Sequence, residues 1–266
     1  MHLAENCEAK GGVLEHKTEH RALTQLKKLA QAENLVNDPA ESWRVGELDD
    51  SSVKQAAVLI LFGVLDEVPA THRQGHVADD LDVLIVVRAA TLRQHAGQPA
   101  FPGGKVDPED LATASETNKP VSYVAALREA VEETGLDPSG VEILGEFGEI
   151  GLPVSNFSVA PVLAWWNKPS LVAAQDAKES ALVLRVPVAD LLNPANRHMA
   201  TVKHGKSVHS SPAFTVQNAE QEFVIWGFTG IVLDRIFTQL GWTEEWDTTV
   251  RRPAPCLLYT SDAADE

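Results

Sequence analysis

Residues 126–136 restrict this chain more than any other stretch: Ala126-Leu127-Arg128-Glu129-Ala130-Val131-Glu132-Glu133-Thr134-Gly135-Leu136. At about 100° per residue, a helix places Glu129, Glu132 and Glu133 on one face and Val124, Leu127 and Val131 on the opposite one. Arg128 precedes Glu132 by four positions and is set to pair with it. Gly135 supplies the left-handed residue at which a helix stops. Carboxylates crowded within one turn repel each other, by about 0.2–0.5 kcal/mol per close pair. Such a face is either solvated or gathers a hard divalent cation, because Mg²⁺ and Mn²⁺ take carboxylate oxygens. The Gly103-Gly104 pair upstream permits backbone geometry that other residues resist.

The segment resembles the signature of the Nudix hydrolase superfamily, G-x5-E-x7-R-E-U-x-E-E-x-G-U, where U is a bulky apolar residue. Residues 128–136 match its second half, with Ala130 small for the first U. The first half departs twice. Asp110 stands where the pattern has Glu, and residues 111–127 make a longer spacer than the family's before Arg128. That spacer is polar, contains Pro120, and reads as a lengthened loop before the helix. The resemblance implies a metal site of Glu129, Glu132, Glu133 and a backbone carbonyl at Gly104. It also implies catalytic roles for Glu129, Arg128 and Glu132, with Arg128 orienting the acidic cluster. The group that takes the proton of the attacking water stays open among Glu129, Glu149 and a histidine of a later loop.

A narrower resemblance lies just upstream. Leu92-Arg93-Gln94-His95-Ala96-Gly97-Gln98-Pro99-Ala100-Phe101-Pro102-Gly103-Gly104 is similar to the L-R-x-H-x-G-x-x-x-F-P-G-G run of coenzyme A diphosphatases, with Pro99 as a departure. It implies cleavage of coenzyme A or an acyl-coenzyme A to 3′,5′-ADP and a 4′-phosphopantetheine. ADP-ribose, dinucleotides and nucleoside triphosphates are the rival substrates, and a non-catalytic nucleotide sensor is the rival class. Arg88, Arg93, His95 and Lys105 are the cations expected to meet substrate phosphates, although Arg93 and His95 would serve equally as turn caps.

Around this centre the chain reads as layered α/β, and the resemblance implies an α/β/α sandwich with a mixed central sheet. Residues 1–50 read as a helical extension, with Leu23, Leu26, Ala30 and Leu35 as its stripe. Such a helix docks on the main domain or on a partner subunit, which keeps a homodimer open. Residues 51–245 form the expected hydrolase domain. The runs 53–65 and 81–88 are near-continuously apolar, as in strands covered on both faces. Strands are also expected at 141–144 and 157–166, separated by an exposed glycine-rich loop. Residues 193–212, with His198, His204 and His209, read as a variable loop without zinc-site spacing. Residues 226–240 read as a closing helix. The segment 246–266 is a tail, and 256–266 resembles translated vector sequence.

The formal charge of −16 disfavours a nucleic-acid partner and offers no general attraction for an anionic substrate. Cys7 and Cys256 suggest no disulfide framework, and no apolar run reaches membrane-spanning length. The cytoplasm is the expected compartment.

Overall fold

Two sheets and five helices make up the described part of the chain in a computed structural model that covers residues 20–31, 48–49, 51–64, 70–92, 95–153, 155–204, 207–218 and 221–255. The central strand is β1 (Lys54–Val64), which runs parallel to β7 (Phe157–Trp166) from Lys54 opposite Phe157 to Gly63 opposite Trp166. On the other side β1 pairs antiparallel with β2 (Leu81–Arg88) and with the short β4 (Gly103–Lys105). The sheet grows outward through β3 (Pro99–Ala100) and β8 (Ser180–Pro187) on β2, and through β5 (Val141–Glu146) and β6 (Ile150–Leu152) on β7.

The unbroken apolar run of β1 has its explanation in two covered faces. Ala57, Leu59 and Leu61 point toward α3 (Val121–Thr134), whereas Ile60 and Phe62 enter a larger core on the opposite face. That second core is closed by α1 (Arg21–Ala30), α4 (Val188–Leu192) and α5 (Gly227–Gln239). The sandwich is therefore as expected. The helix α1 docks on its own chain: Leu23, Leu26 and Leu29 are buried in the common core, and Lys27 pairs with Glu142 at 3.2 Å. Ala30 of the expected stripe packs partly buried against that core, and Leu35 lies outside the described residues.

Three expectations need correction. The spacer before the carboxylate helix is no loop: Pro108–Thr117 form a helix, α2, and α3 already starts at Val121. Pro108 at the first helical position and Asp107 ahead of it supply a start signal that outweighs the spacer's polarity. The glycine-rich loop is partly structured as well, since β6 pairs with β7 and Phe147 and Ile150 are buried.

Residues 193–212 belong chiefly to a second, four-stranded sheet of β9 (Arg197–His204), β10 (Ser207–Asn218), β11 (Gln221–Ile225) and β12 (Arg251–Pro253). The strand pattern was obscured because β9 buries polar groups. Arg197 is ion-paired with Asp234 of α5 and stacks on Phe214 and Trp246 at 4.8 and 4.2 Å from the ring centres. His198 beside it is buried too. No described helix is long and apolar enough to cross a membrane.

Candidate active site

Helix α3 approaches the sheet through alanines. Ala125, Ala126 and Ala130 form its buried face, with Val124, Leu127 and Val131 only half-buried at its flanks. The expected apolar stripe is thus displaced: small side chains let the helix backbone sit close to β1 and β4. The same rotation carries Glu133 inward, to 8% exposure, where it accepts a hydrogen bond from the Gly103 N–H at 3.1 Å. Glu129 lies against Gly104, and a Cβ at that position would run into its carboxylate. Gly135 ends the helix at φ +70°, its N–H donating to Val131 at 2.8 Å.

Arg128 ties these parts together. Its guanidinium donates to both oxygens of Asp110 at 2.8 and 2.9 Å, to Glu132 at 2.8 Å, to Glu129 at 3.0 Å and to the Lys105 carbonyl at 3.0 Å. Asp110 is 1% exposed and also accepts the Asp107 N–H at 2.8 Å. Burial pushes the Asp110 carboxyl upward, but hydrogen bonds from Arg128 and Asp107 hold it below its ordinary value. Those same Asp110 bonds lead the causes that raise the Arg128 pKa. Sequence reading noted Asp110 only as a departure from a motif. Its place six residues after Gly104 was the available signal.

The acidic groups differ in environment. Burial raises Glu133 to about 7, despite the Gly103 N–H and the Arg88 charge, and the Glu129 and Glu179 charges push in the same direction. Burial also raises Glu129, against its pairing with Arg128. Glu132 is mostly exposed, with Arg128 on one oxygen. Glu179 entered no expectation, since only the fold brings β8 beside α3. Its carbonyl accepts the Ala89 N–H at 2.8 Å, and its charge acts on Glu133.

The remaining predicted residues scatter more widely. Arg88 ends β2, with its Nε buried and without a partner among the described residues. His95 is exposed at φ +56°, and its Nδ1 meets the Gln98 side chain at 2.7 Å. The Lys105 side chain is exposed, and its carbonyl rather than its ammonium bonds Arg128. Arg93 lies outside the described residues. Glu149 accepts from Ser158 at 2.5 Å.

The donor set suits a hard divalent cation: clustered carboxylates, one of them buried and strained by its neighbour's charge. Among the described residues no three His, Cys, Asp or Glu side chains already converge as a cage. Glu132 and Glu129 turn to Arg128, and Glu133 turns to Gly103.

Comparison with known proteins bears on this arrangement. The NUDIX domain family matches residues 73–202. An uncharacterized Nudix hydrolase, NudL, of Cronobacter sakazakii is 32% identical over 188 residues, covering 71% of this chain and 83% of that protein. Its namesake in Shigella flexneri is 29% identical over 185 residues, covering 67% and 88%. Among solved structures, a NUDIX hydrolase from Alicyclobacillus acidocaldarius aligns with TM-score 0.39 and 22% identity over 53% of this chain and 82% of that one.

Proposed function

The chain belongs to the Nudix hydrolases, enzymes that act on diphosphates with divalent metal ions, and from that premise we propose that it cleaves the diphosphate of coenzyme A or an acyl-coenzyme A. The products are 3′,5′-ADP and a 4′-phosphopantetheine. The observation that carries the substrate is the position of residues 95–104, the described part of the run similar to that of coenzyme A diphosphatases. They lead through β3 to Gly103 and Gly104, against Glu133 and Glu129.

In this reading Glu129, Glu132 and Glu133, with the Gly104 carbonyl, would hold Mg²⁺ or Mn²⁺, which when bound would neutralise diphosphate charge and acidify a water. Arg128 positions the cluster: Asp110 accepts from Nε and Nη2, while Nη1 holds Glu132 and Nη2 also reaches Glu129. With Oε1 of Glu129 held by Arg128, its Oε2 is the acceptor for the proton of the attacking water. Burial raises the affinity of that carboxylate for a proton, as a general base needs. Arg88, whose Nε has no partner among the described residues, would donate to a diphosphate oxygen.

The test is a substrate panel of coenzyme A, dephospho-coenzyme A, ADP-ribose and nucleoside triphosphates with Mg²⁺ or Mn²⁺, with products resolved by chromatography. Coenzyme A should give the highest kcat/KM and release 3′,5′-ADP. Faster turnover of ADP-ribose overturns the substrate assignment.

A further inference from the structure

A cavity of about 610 Å³ opens between β11 of the second sheet and the end of β2. Its volume falls within the roughly 300–1,000 Å³ of small-molecule sites. Val87, Leu182, Phe223 and Trp226 make its walls chiefly apolar, with Gln98, whose side-chain oxygen meets His95 Nδ1, and Gln221 also among the lining residues. Two of the described lining residues are charged, Arg88 and Glu222. Arg88 ends β2, and Pro99, which also lines the cavity and pairs with Val87 of β2, begins the run that reaches Gly103 at Glu133. A buried guanidinium nitrogen without a partner is costly, and an anionic oxygen at this end of the cavity would satisfy it.

We propose that this cavity receives the uncharged half of a diphosphate ester, the amide-bearing alkyl arm of coenzyme A, and excludes the 3′-phosphorylated nucleotide half. The assignment rests on the coenzyme A reading and adds the direction in which the substrate lies. A phosphate in the cavity would meet Glu222, and Arg88, the one cation among the described lining residues, is already committed at the diphosphate end. An arm of amides, methylenes and methyl groups instead meets apolar walls with two glutamines for its amides. The second sheet contributes one wall through β11, with Trp226 just after it, so the eight-stranded sheet alone does not complete the cavity.

The experiment measures each product half separately. Ala181 lines the cavity and is exposed, so Ala181→Trp fills space without disturbing the core. Ala96→Trp does the same from another wall. With Mg²⁺ present, calorimetry should show 4′-phosphopantetheine binding weakened roughly tenfold or more in both variants, and 3′,5′-ADP binding within about twofold of wild type. KM for coenzyme A and for dephospho-coenzyme A should rise together. Should neither variant fold, hydrogen exchange on the unmodified enzyme decides: β11 amides should slow with 4′-phosphopantetheine and not with 3′,5′-ADP. Weakened 3′,5′-ADP binding, unchanged binding of both halves in folded variants, or β11 protection by 3′,5′-ADP alone overturns the assignment while leaving the coenzyme A reading intact. Wild-type enzyme that turns over neither coenzyme A nor dephospho-coenzyme A removes that reading, and the assignment with it.

Discussion

At the scale of single residues, Glu133 carries the most tension. Its carboxylate is buried beside the Glu129 charge, and burial lifts its pKa to about 7. A neutral glutamine can still accept the Gly103 N–H, so Glu133→Gln should keep the fold and lose the proposed cation ligand. We expect kcat to drop by about 10²-fold or more at saturating Mg²⁺, since a metal's assistance is worth several kcal/mol. Retention of more than about a third of wild-type kcat would sink the ligand role. The same residue sets a pH dependence. Its folded pKa lies above the ordinary 4.5, so the stability it lends is complete below about 4.5 and lost as pH rises through 7. Without metal, wild type should lose stability from pH 5 to pH 8 relative to Glu133→Gln, by on the order of 3 kcal/mol. Urea titrations of both proteins measure this, and added Mg²⁺ should close the gap at pH 8. Parallel curves would show that the carboxyl is not strained.

At the scale of elements, α2 replaces what reads as an overlong loop, and it has a function in the site. It delivers Asp110 to Arg128, and Arg128 in turn holds Glu129 and Glu132. Removing one partner of a buried pair costs about 3–5 kcal/mol, and the partial exposure of Arg128 lowers this to about 2–3 kcal/mol for Asp110→Asn. The melting temperature should fall, and kcat should fall with it, because Arg128 loses the contact that aims it. Stability unchanged within error would make α2 a bystander. The helix α1 is tested through Leu26, which is fully buried. Leu26→Ala should cost about 2–5 kcal/mol by cavity formation, with kcat unaffected at a temperature where the variant is folded. A loss under about 0.5 kcal/mol would mean that α1 does not share the main core.

For the whole molecule, the −16 charge repels a polyanionic substrate at long range. Raising ionic strength from about 0.01 to 0.15 M shortens the screening length from about 30 to 8 Å. At saturating Mg²⁺, kcat/KM for coenzyme A should therefore rise with salt. A fall would mean that Arg88 and its cationic neighbours dominate the field that the substrate meets. At this scale α3 and β4 bring the carboxylates together, while β11 and the end of β2, with Arg88, line the cavity.

The sequence by itself determined the carboxylate helix, its glycine stop, the doubly covered strands β1 and β2 and the closing helix α5. Each of these is written in a local period or an end signal, which a few neighbouring residues suffice to express. Tertiary structure alone decided which face of α3 is buried. Close packing on β1 favoured Ala125, Ala126 and Ala130 over the larger residues and drew Glu133 inside. It also decided the partner of Arg128, because Asp110 reaches it only through the fold of α2 back onto α3. Strand β9 stayed hidden for a related reason: Arg197 and His198 occupy interior positions, and Asp234 on a distant helix is what neutralises Arg197 there. Local pattern reports how a segment divides apolar from polar residues, whereas burial of a charge depends on a counter-charge that can lie anywhere in the chain.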